Sequence, residues 1–280
     1  MTSTAVSVIL PVLNEEDYLV HCVEAILKQK FSGPIEVVLA IGPSVDRTME
    51  IAQELARNDS RIKIIENPTG RTAAGLNLAI QFSKYPVIVR VDGHSNIPDN
   101  YIELAVQLLE ETGGVNVGGL MAAEGRTPFE RAVAGAMRSP LGVGAAKFHT
   151  GGKAGEVDTV YLGVFKREAL LQVGGFNEHF TRAQDWELNY RLRKNGGKIY
   201  FDPRLTVTYR PRRSLRALAK QYFEYGRWRR VVSRTHKGTI NPRYLAPPTT
   251  LVGVIASIVL GFFHPIFFLP ALIYFTFLML

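Results

Sequence analysis

The stretch VIVRVDGH, residues 87–94, ends an apolar run with a carboxylate and an imidazole, Asp92 and His94, on either side of Gly93. These groups can ligate Mn²⁺ or Mg²⁺, with phosphate oxygens at the open coordination positions. A cation held there would stabilise a departing diphosphate. The two side chains reach one point only if the chain turns back at Gly93. The alternative is a plain surface turn, since Asp-Gly is a common turn dipeptide.

A second carboxylate with possible chemistry is Asp185, in the stretch TRAQDWELNYRLRKNGG, residues 181–197. The pattern predicts a helix that begins near this residue. One interpretation is a general base that takes the proton of an attacking hydroxyl group. The other is a capping acid that the helix dipole stabilises.

Arg71 follows Gly70 ahead of a predicted helix in ENPTGRTAAGLN, residues 66–77. A guanidinium beside the N–H groups of a helix start suits a diphosphate. An exposed loop arginine without a ligand explains the same pattern equally well.

The elements that would position these residues alternate along the first half of the chain. Apolar runs and amphipathic stretches predict the order βαβαβαβα, with Asn14 as the N-cap of the first helix. This order is typical of a Rossmann-like α/β domain with a mainly parallel sheet and helices on both faces. Ligands bind at the carboxyl ends of such strands, where Asp92 lies. Residues 125–156 are glycine-rich and predict irregular structure, with residues 139–156 as a lid-like loop.

Charge is concentrated in one segment. The chain carries a net charge of +8, yet residues 210–237 hold ten basic residues against one acid. This local basicity argues against nucleic acid as a partner. The same segment predicts a helix with a broad apolar face among arginines, typical of an interfacial amphipathic helix.

Residues 249–280 contain no charged side chain. The run exceeds the roughly 20 residues of one bilayer crossing, and Gly261, His264, Pro265 and Pro270 interrupt it. We expect one kinked span or a re-entrant pair, with a second span cut short by the chain end. Basic residues before a span favour the cytoplasmic side. The N-terminus does not resemble a secretory signal, and Cys22 is the only cysteine.

The sequence thus predicts three parts: a catalytic domain over residues 1–209, a basic interface helix and linker over 210–245, and transmembrane segments over 246–280. The predicted location is the cell inner membrane, with the catalytic domain on the cytoplasmic side.

Several ordered motifs resemble one enzyme family. They are VSVILPVLNEEDYLVHCVEAIL, RVDGHSNIPDNYI, VGGFNE, AQDWELNYRLRKNGGKIYF and QYFEYGRWRR. Together they resemble the family 2 glycosyltransferases of GT-A fold, and among these the membrane-associated enzymes of succinoglycan-type exopolysaccharide synthesis. The resemblance covers about residues 5–232.

The resemblance implies an inverting transfer of a sugar from a nucleotide-diphosphate donor, with a UDP-sugar as first choice, to a lipid-linked or polysaccharide acceptor. The donor-site residues that it implies, beyond Arg71, are Pro11, Val12, Asn14, Glu15 and Asp92. Asp92 and His94 match the metal-binding DxD motif, which implies Mn²⁺ or Mg²⁺, and Asp185 matches the catalytic base.

Three departures from the family pattern matter. Ile41 and Gly42 stand where acidic residues of the family usually contact the nucleobase, so the identity of the nucleobase stays undecided. His94 replaces an aspartate, as in the DxH pair of the polypeptide N-acetylgalactosaminyltransferases. Gln184 precedes the base in place of an acid. Two alternatives remain: a processive polysaccharide synthase, and a catalytically dead membrane scaffold of the same fold.

Overall fold

A computed structural model describes residues 4–139, 146–240 and 245–279 of the chain. The strands are β1 (Val6–Val12), β2 (Ile35–Ile41), β3 (Ile62–Glu66), β4 (Val87–Arg90), β5 (Asn116–Ala123), β6 (Gly155–Glu156), β7 (Tyr161–Lys166) and β8 (Ile199–Tyr209). The helices are α1 (Leu19–Leu27), α2 (Thr48–Asn58), α3 (Thr72–Phe82), α4 (Tyr101–Thr112), α5 (Pro128–Arg138), α6 (Lys147–Thr150), α7 (Arg167–Gln172), α8 (Gln184–Lys194), α9 (Leu215–Thr235), α10 (Ala246–Gly261) and α11 (Leu269–Met279), with a 3₁₀ turn at Pro265–Phe268.

The strands of the described residues form one sheet in the order β3-β2-β1-β4-β7-β5-β8-β6. Strands β1 to β4 are mutually parallel, and β5 is parallel to β8. Strand β7 lies between the two groups, antiparallel to both β4 and β5. The carboxyl ends of β4 and β5 therefore lie at the same edge. The prediction of a mainly parallel α/β sheet is confirmed, with β7 and the two-residue strand β6 as antiparallel additions.

Both faces of the sheet are covered. Along β1, Val8 and Leu10 belong to one apolar cluster, whereas Ile9 belongs to the other. Successive strand residues point to opposite faces, so a strand buried on both faces is apolar throughout. Helices α1 and α4 supply residues to the first cluster, and α3 and α8 to the second.

Strand β8 is one continuous element, although the sequence predicts two strands, KIYFDP over residues 198–203 and LTVTYRP over residues 205–211. Its pairing with β5 shifts register between Gly118 and Leu120. A Cβ atom on Gly119 would lie 1.8 Å from the backbone oxygen of Leu205. The two strands approach closely here because residue 119 has no side chain.

Two local predictions were wrong. Asn14 does not cap the first helix, because α1 begins at Leu19 with Tyr18 at the cap position. Residues 125–156 are not irregular throughout, since they contain α5 and α6. The Thr127 hydroxyl accepts a hydrogen bond from the Glu130 N–H, and the Glu130 carboxylate accepts one from the Thr127 N–H. This capping box starts α5. Residues 140–145 of the predicted lid-like loop lie outside the described residues.

The chain divides into two compact units between Arg229 and Arg230, within α9. The boundaries predicted at residues 209 and 245 remain predictions. In the second unit, α10 and α11 pack through Ser257, whose hydroxyl donates to the Phe267 carbonyl and accepts from the Ala271 N–H. Many apolar side chains of this unit are exposed, among them Phe262, at 80%, and Phe263.

Within the described part of the chain, no helix has both the length and the apolar character needed to cross a membrane. Helix α10 has 16 residues and ends at Gly261, before His264 and Pro265. At about 1.5 Å per residue this helix is shorter than a hydrocarbon core of about 30 Å. The predicted transmembrane segment is therefore not confirmed.

Candidate active site

The loops after β1 and β2 are tied together at the carboxyl edge of the sheet. Asn14 adopts a positive φ of 54°, its N–H donates to the Ser44 hydroxyl, and its side-chain oxygen accepts from the Val45 N–H. This bonding between loops explains why Asn14 is not a helix cap. Pro11 is half-buried within β1. Val12, the last residue of β1, is 2% exposed. The donor-site roles of Pro11 and Val12 stay predictions.

Glu15 connects this loop to the turn after β4. Its N–H donates to the Thr48 hydroxyl, and its carboxylate lies 2.8 Å from Nδ1 of His94. A Cβ atom on Gly93 would lie 3.1 Å from Cγ of Glu15, so glycine gives the Glu15 side chain its space. This contact with Glu15 raises the pKa of His94, and burial opposes the shift. Glu15 therefore fixes the position of His94 in the turn after β4.

Arg90, which the sequence analysis overlooked, is the central group of the site. It is the last residue of β4, and its side chain is only 6% exposed. One guanidinium nitrogen bonds Asp185, and the other donates to Asp92 Oδ1 at 3.1 Å. The Phe176 ring lies 5.8 Å from the guanidinium carbon. One buried cation thus joins the two carboxylates that lie 93 positions apart in the sequence.

Asp185 lies in the first turn of α8, after Ala183, which has a positive φ of 60°. Burial raises the pKa of Asp185, Arg90 opposes this shift, and Asp92 reinforces it. The side chain keeps 39% of its exposure. The carboxylate is therefore both held by a cation and open to a reactant.

Cys22 and Tyr161 lie beside this centre. The Cys22 thiol donates to the Asp92 carbonyl at 3.5 Å. Burial raises the pKa of Cys22 to about 12, so the thiol stays protonated at neutral pH. Burial also raises the pKa of Tyr161, with a further contribution from Asp92. Neither group is ionised at neutral pH.

Arg71 occupies the cap position of α3 at the same edge, next to Gly70 with φ of 62°. Its carbonyl accepts a hydrogen bond from the buried Asn67 side chain. Its own side chain is exposed, and the structure does not bring it against Asp92 or Asp185. The diphosphate role of Arg71 stays a prediction.

Comparison with known proteins now identifies the family. The model of Glycosyl transferase family 2 matches residues 7–174. The chain belongs to this family. The glycosyltransferase is 34% identical to the succinoglycan biosynthesis protein ExoA of Rhizobium meliloti over 251 residues, 88% of this chain and 76% of that protein.

A second relative is an archaeal enzyme of Methanococcus voltae, dolichyl N-acetyl-alpha-D-glucosaminyl phosphate 3-beta-D-2,3-diacetamido-2,3-dideoxy-beta-D-glucuronosyltransferase. It is 25% identical over 278 residues, 96% of this chain and 85% of that protein.

Solved structures show the same fold. Staphylococcus aureus TarS in complex with UDP has a TM-score of 0.58 at 19% identity, over 74% of this glycosyltransferase and 60% of the TarS chain. The mannosyltransferase PcManGT of Pyrobaculum calidifontis, in complex with GDP-Man and Mn²⁺, has a TM-score of 0.60 at 20% identity, over 86% and 67%. The GT-A-like fold that the sequence predicts is confirmed.

Asp92 and His94, the predicted metal ligands, carry donor groups that suit a divalent cation, and their metal binding stays a prediction. Among the described residues, no three histidine, cysteine or carboxylate groups lie close enough to hold a metal by themselves. His94 nevertheless has the arrangement typical of a metal ligand, because Glu15 binds Nδ1 and orients the ring so that Nε2 can ligate. The Asp92 bond to Arg90 uses Oδ1. These donors suit a cation whose other ligands are phosphate oxygens.

Proposed function

We propose that the glycosyltransferase catalyses an inverting, metal-dependent transfer from a nucleotide-diphosphate sugar to an acceptor hydroxyl. The observation that carries this proposal is the bridge from Asp92 through Arg90 to Asp185. It unites a carboxylate suited to the donor diphosphate with a carboxylate suited to proton removal.

In this mechanism Asp185 is the general base. The acceptor oxygen attacks the anomeric carbon as the bond from that carbon to the diphosphate oxygen breaks, so the configuration inverts. The hydroxyl proton passes to the Asp185 carboxylate, and the diphosphate leaves with the bonding electron pair. Arg90 opposes the effect of burial on Asp185 and so favours the ionised form that a base requires.

Asp92 and His94 would hold Mn²⁺ or Mg²⁺. When bound, the cation supplies positive charge to the leaving diphosphate. Asn14, Glu15 and Arg71 lie at the carboxyl ends of β1 and β3, where the nucleotide of an α/β enzyme binds. The TarS complex with UDP supports a UDP-sugar as the donor, and the PcManGT complex with GDP-Man makes a GDP-sugar the alternative donor.

The proposed acceptor is a lipid-linked or polysaccharide glycan at the cytoplasmic face of the inner membrane. The relatives act in succinoglycan biosynthesis and on a dolichyl phosphate sugar. Leu215 and Phe223 of α9 are each 71% exposed, amid basic residues, and the second unit exposes many apolar side chains. Such surfaces partition into an anionic membrane interface.

Calorimetric titration with UDP, GDP and dTDP, each with Mn²⁺ and with EDTA, tests the donor site. We expect one nucleotide to bind tightly only with the metal, and His94→Ala to weaken that binding. Asp185→Asn should reduce turnover by about 10²–10⁴-fold while nucleotide binding stays within twofold. Near-normal turnover of Asp185→Asn would refute the role of Asp185 as the general base. No nucleotide binding at all would favour the catalytically dead scaffold.

Flotation with vesicles tests the membrane part of the proposal. We expect the chain to float with vesicles that contain anionic lipid, and Leu215→Ser together with Phe223→Ser to reduce the floating fraction. Equal flotation of the variant and the unchanged chain would refute a membrane role of α9.

A further inference from the structure

A pocket of about 340 Å³ lies outside the centre formed by Asp92, Arg90 and Asp185. Its lining includes three arginines, Arg131, Arg138 and Arg210, together with Glu124 and Ala134. The volume lies at the lower end of the range for ligand sites, about 300–1,000 Å³. It therefore fits a small head group better than a complete nucleotide sugar.

The pocket is built by two separate parts of the chain. Arg131, Ala134 and Arg138 lie at i, i+3 and i+7 along α5, which is one face of a helix. Ala134 lines the pocket as well and is 2% exposed. Arg210 comes from the residue after β8, and its guanidinium donates to the Glu124 carbonyl at 3.2 Å.

Local bonds hold two of the three arginines, Arg131 and Arg210. The capping box of Thr127 and Glu130 starts α5 and so sets the direction of its arginine-bearing face. Arg131 donates to the Arg126 carbonyl at 2.8 Å. Backbone carbonyls thus anchor Arg131 and Arg210, whereas Arg138 is placed only by its position on the same face of α5.

The charge of the pocket is unbalanced. Glu124 is the only acid among its lining residues, and its carboxylate lies 3.4 Å from Arg210. Three guanidinium groups against one carboxylate leave two positive charges. Guanidinium groups bind phosphate oxygens in a bidentate manner, so this chemistry selects a phosphate or diphosphate over a neutral sugar.

The pocket lies at the edge of the sheet that carries the candidate active site. Ala123 is the last residue of β5 and Glu124 follows it, and Arg210 follows the carboxyl end of β8, which is parallel to β5. Asp92 follows the carboxyl end of β4, which points the same way as β5. A ligand bound here lies on the β5–β8 side of the sheet, whereas Asn14 and Arg71 lie on the β1–β3 side.

We propose that this pocket binds the phosphate or diphosphate group of the acceptor and so holds a phosphate-linked glycan for transfer. This inference rests on the proposed glycosyl transfer, since it names the acceptor class of the same reaction. The donor has its own phosphates, but the residues proposed for them lie around β1, β3 and β4.

Calorimetric titration of the full chain in mild detergent with farnesyl diphosphate, inorganic pyrophosphate and farnesol tests the pocket. We expect the two phosphate-bearing probes to bind and farnesol not to bind. The triple variant Arg131→Gln, Arg138→Gln, Arg210→Gln should weaken farnesyl diphosphate binding at least tenfold. Arg138→Gln alone should weaken it about threefold, which keeps the test valid if the triple variant does not fold.

The control variant is Arg57→Gln, which removes an exposed arginine in the last turn of α2. It should leave the affinity for farnesyl diphosphate unchanged. Tighter binding of farnesyl diphosphate than of pyrophosphate would identify a lipid head group as the source, and equal binding would identify the phosphate group alone.

Three results would overturn the proposal: unchanged affinity in the arginine variants, farnesol binding as tight as that of farnesyl diphosphate, or an equal loss in Arg57→Gln. Binding of UDP with Mn²⁺ serves as the separate readout of the donor site. If arginine substitution weakens farnesyl diphosphate but UDP never binds, the pocket stands and the proposed transfer function fails.

Discussion

Replacement of Arg90 by glutamine should destabilise the first unit strongly. The Arg90 side chain is 6% exposed and bonds both Asp92 and Asp185, so its loss leaves two carboxylates without their cation. Breaking a fully buried ion pair costs about 3–5 kcal/mol. Because Asp92 and Asp185 are 23% and 39% exposed, water compensates them in part. We therefore expect a loss of about 2–4 kcal/mol in the free energy of unfolding.

Urea unfolding followed by tryptophan fluorescence measures this loss. Trp186 and Trp228 are the only tryptophans, and both belong to the first unit. The matched control is Arg61→Gln. Arg61 also bonds an aspartate two positions away, Asp59 at 2.7 Å, but its side chain is 43% exposed. Its loss should cost at most about 1 kcal/mol.

A double variant provides the decisive comparison. Asp185→Asn removes one of the carboxylates that Arg90→Gln leaves unpaired. The double variant should therefore lose less stability than the sum of the two single variants, by at least about 1 kcal/mol. Additive losses, or an Arg90→Gln loss no larger than that of Arg61→Gln, would refute the assignment of Arg90 as the shared counter-ion.

Three further predictions follow from the same structure. Burial raises the pKa of Asp185, and a general base must be deprotonated, so turnover should fall on acidification through a pKa above about 3.9, the ordinary aspartate value. Arg90→Gln should move this acid limb of the pH–rate profile to higher pH. A profile without an acid limb above that value would contradict the assignment of Asp185 as the base. Gly119→Ala should lower the free energy of unfolding by at least about 1–3 kcal/mol in urea, since its Cβ would overlap the Leu205 carbonyl. The control, Gly135→Ala in α5, should be neutral or stabilising, because its Cβ would have no described atom within 4 Å. Thr127→Val should lose about 0.5–2 kcal/mol by removing the cap of α5, and an unchanged urea midpoint would argue against the capping box.

The sequence indicated candidate residues of the site but not the bonds between them. Asp92, His94 and Asp185 were recognisable as candidates because their side chains follow or precede regular elements at the carboxyl edge of a parallel sheet. Arg90 was missed because its partner Asp185 lies 95 positions away, and only the tertiary fold brings them together. A signal was present, since an arginine inside an otherwise apolar strand requires a buried counter-ion.

Other predictions failed because competing local patterns had to be weighed. Asparagine is a common helix cap, but the side-chain oxygen of Asn14 accepts a hydrogen bond from the Val45 N–H in another loop. The glycines of residues 125–156 obscured the sequence TPFE, which is the capping-box pattern of α5.

The buried cysteine makes the molecule suitable for thiol labelling. Cys22 is the only cysteine, and burial raises its pKa to about 12, so the thiol is protonated and unreactive at neutral pH. A cysteine introduced on the surface would therefore react with little background, for example to attach a fluorophore. The Cys22 thiol donates to the Asp92 carbonyl, so the rate at which the native thiol is modified would report how often the structure around Asp92 opens locally.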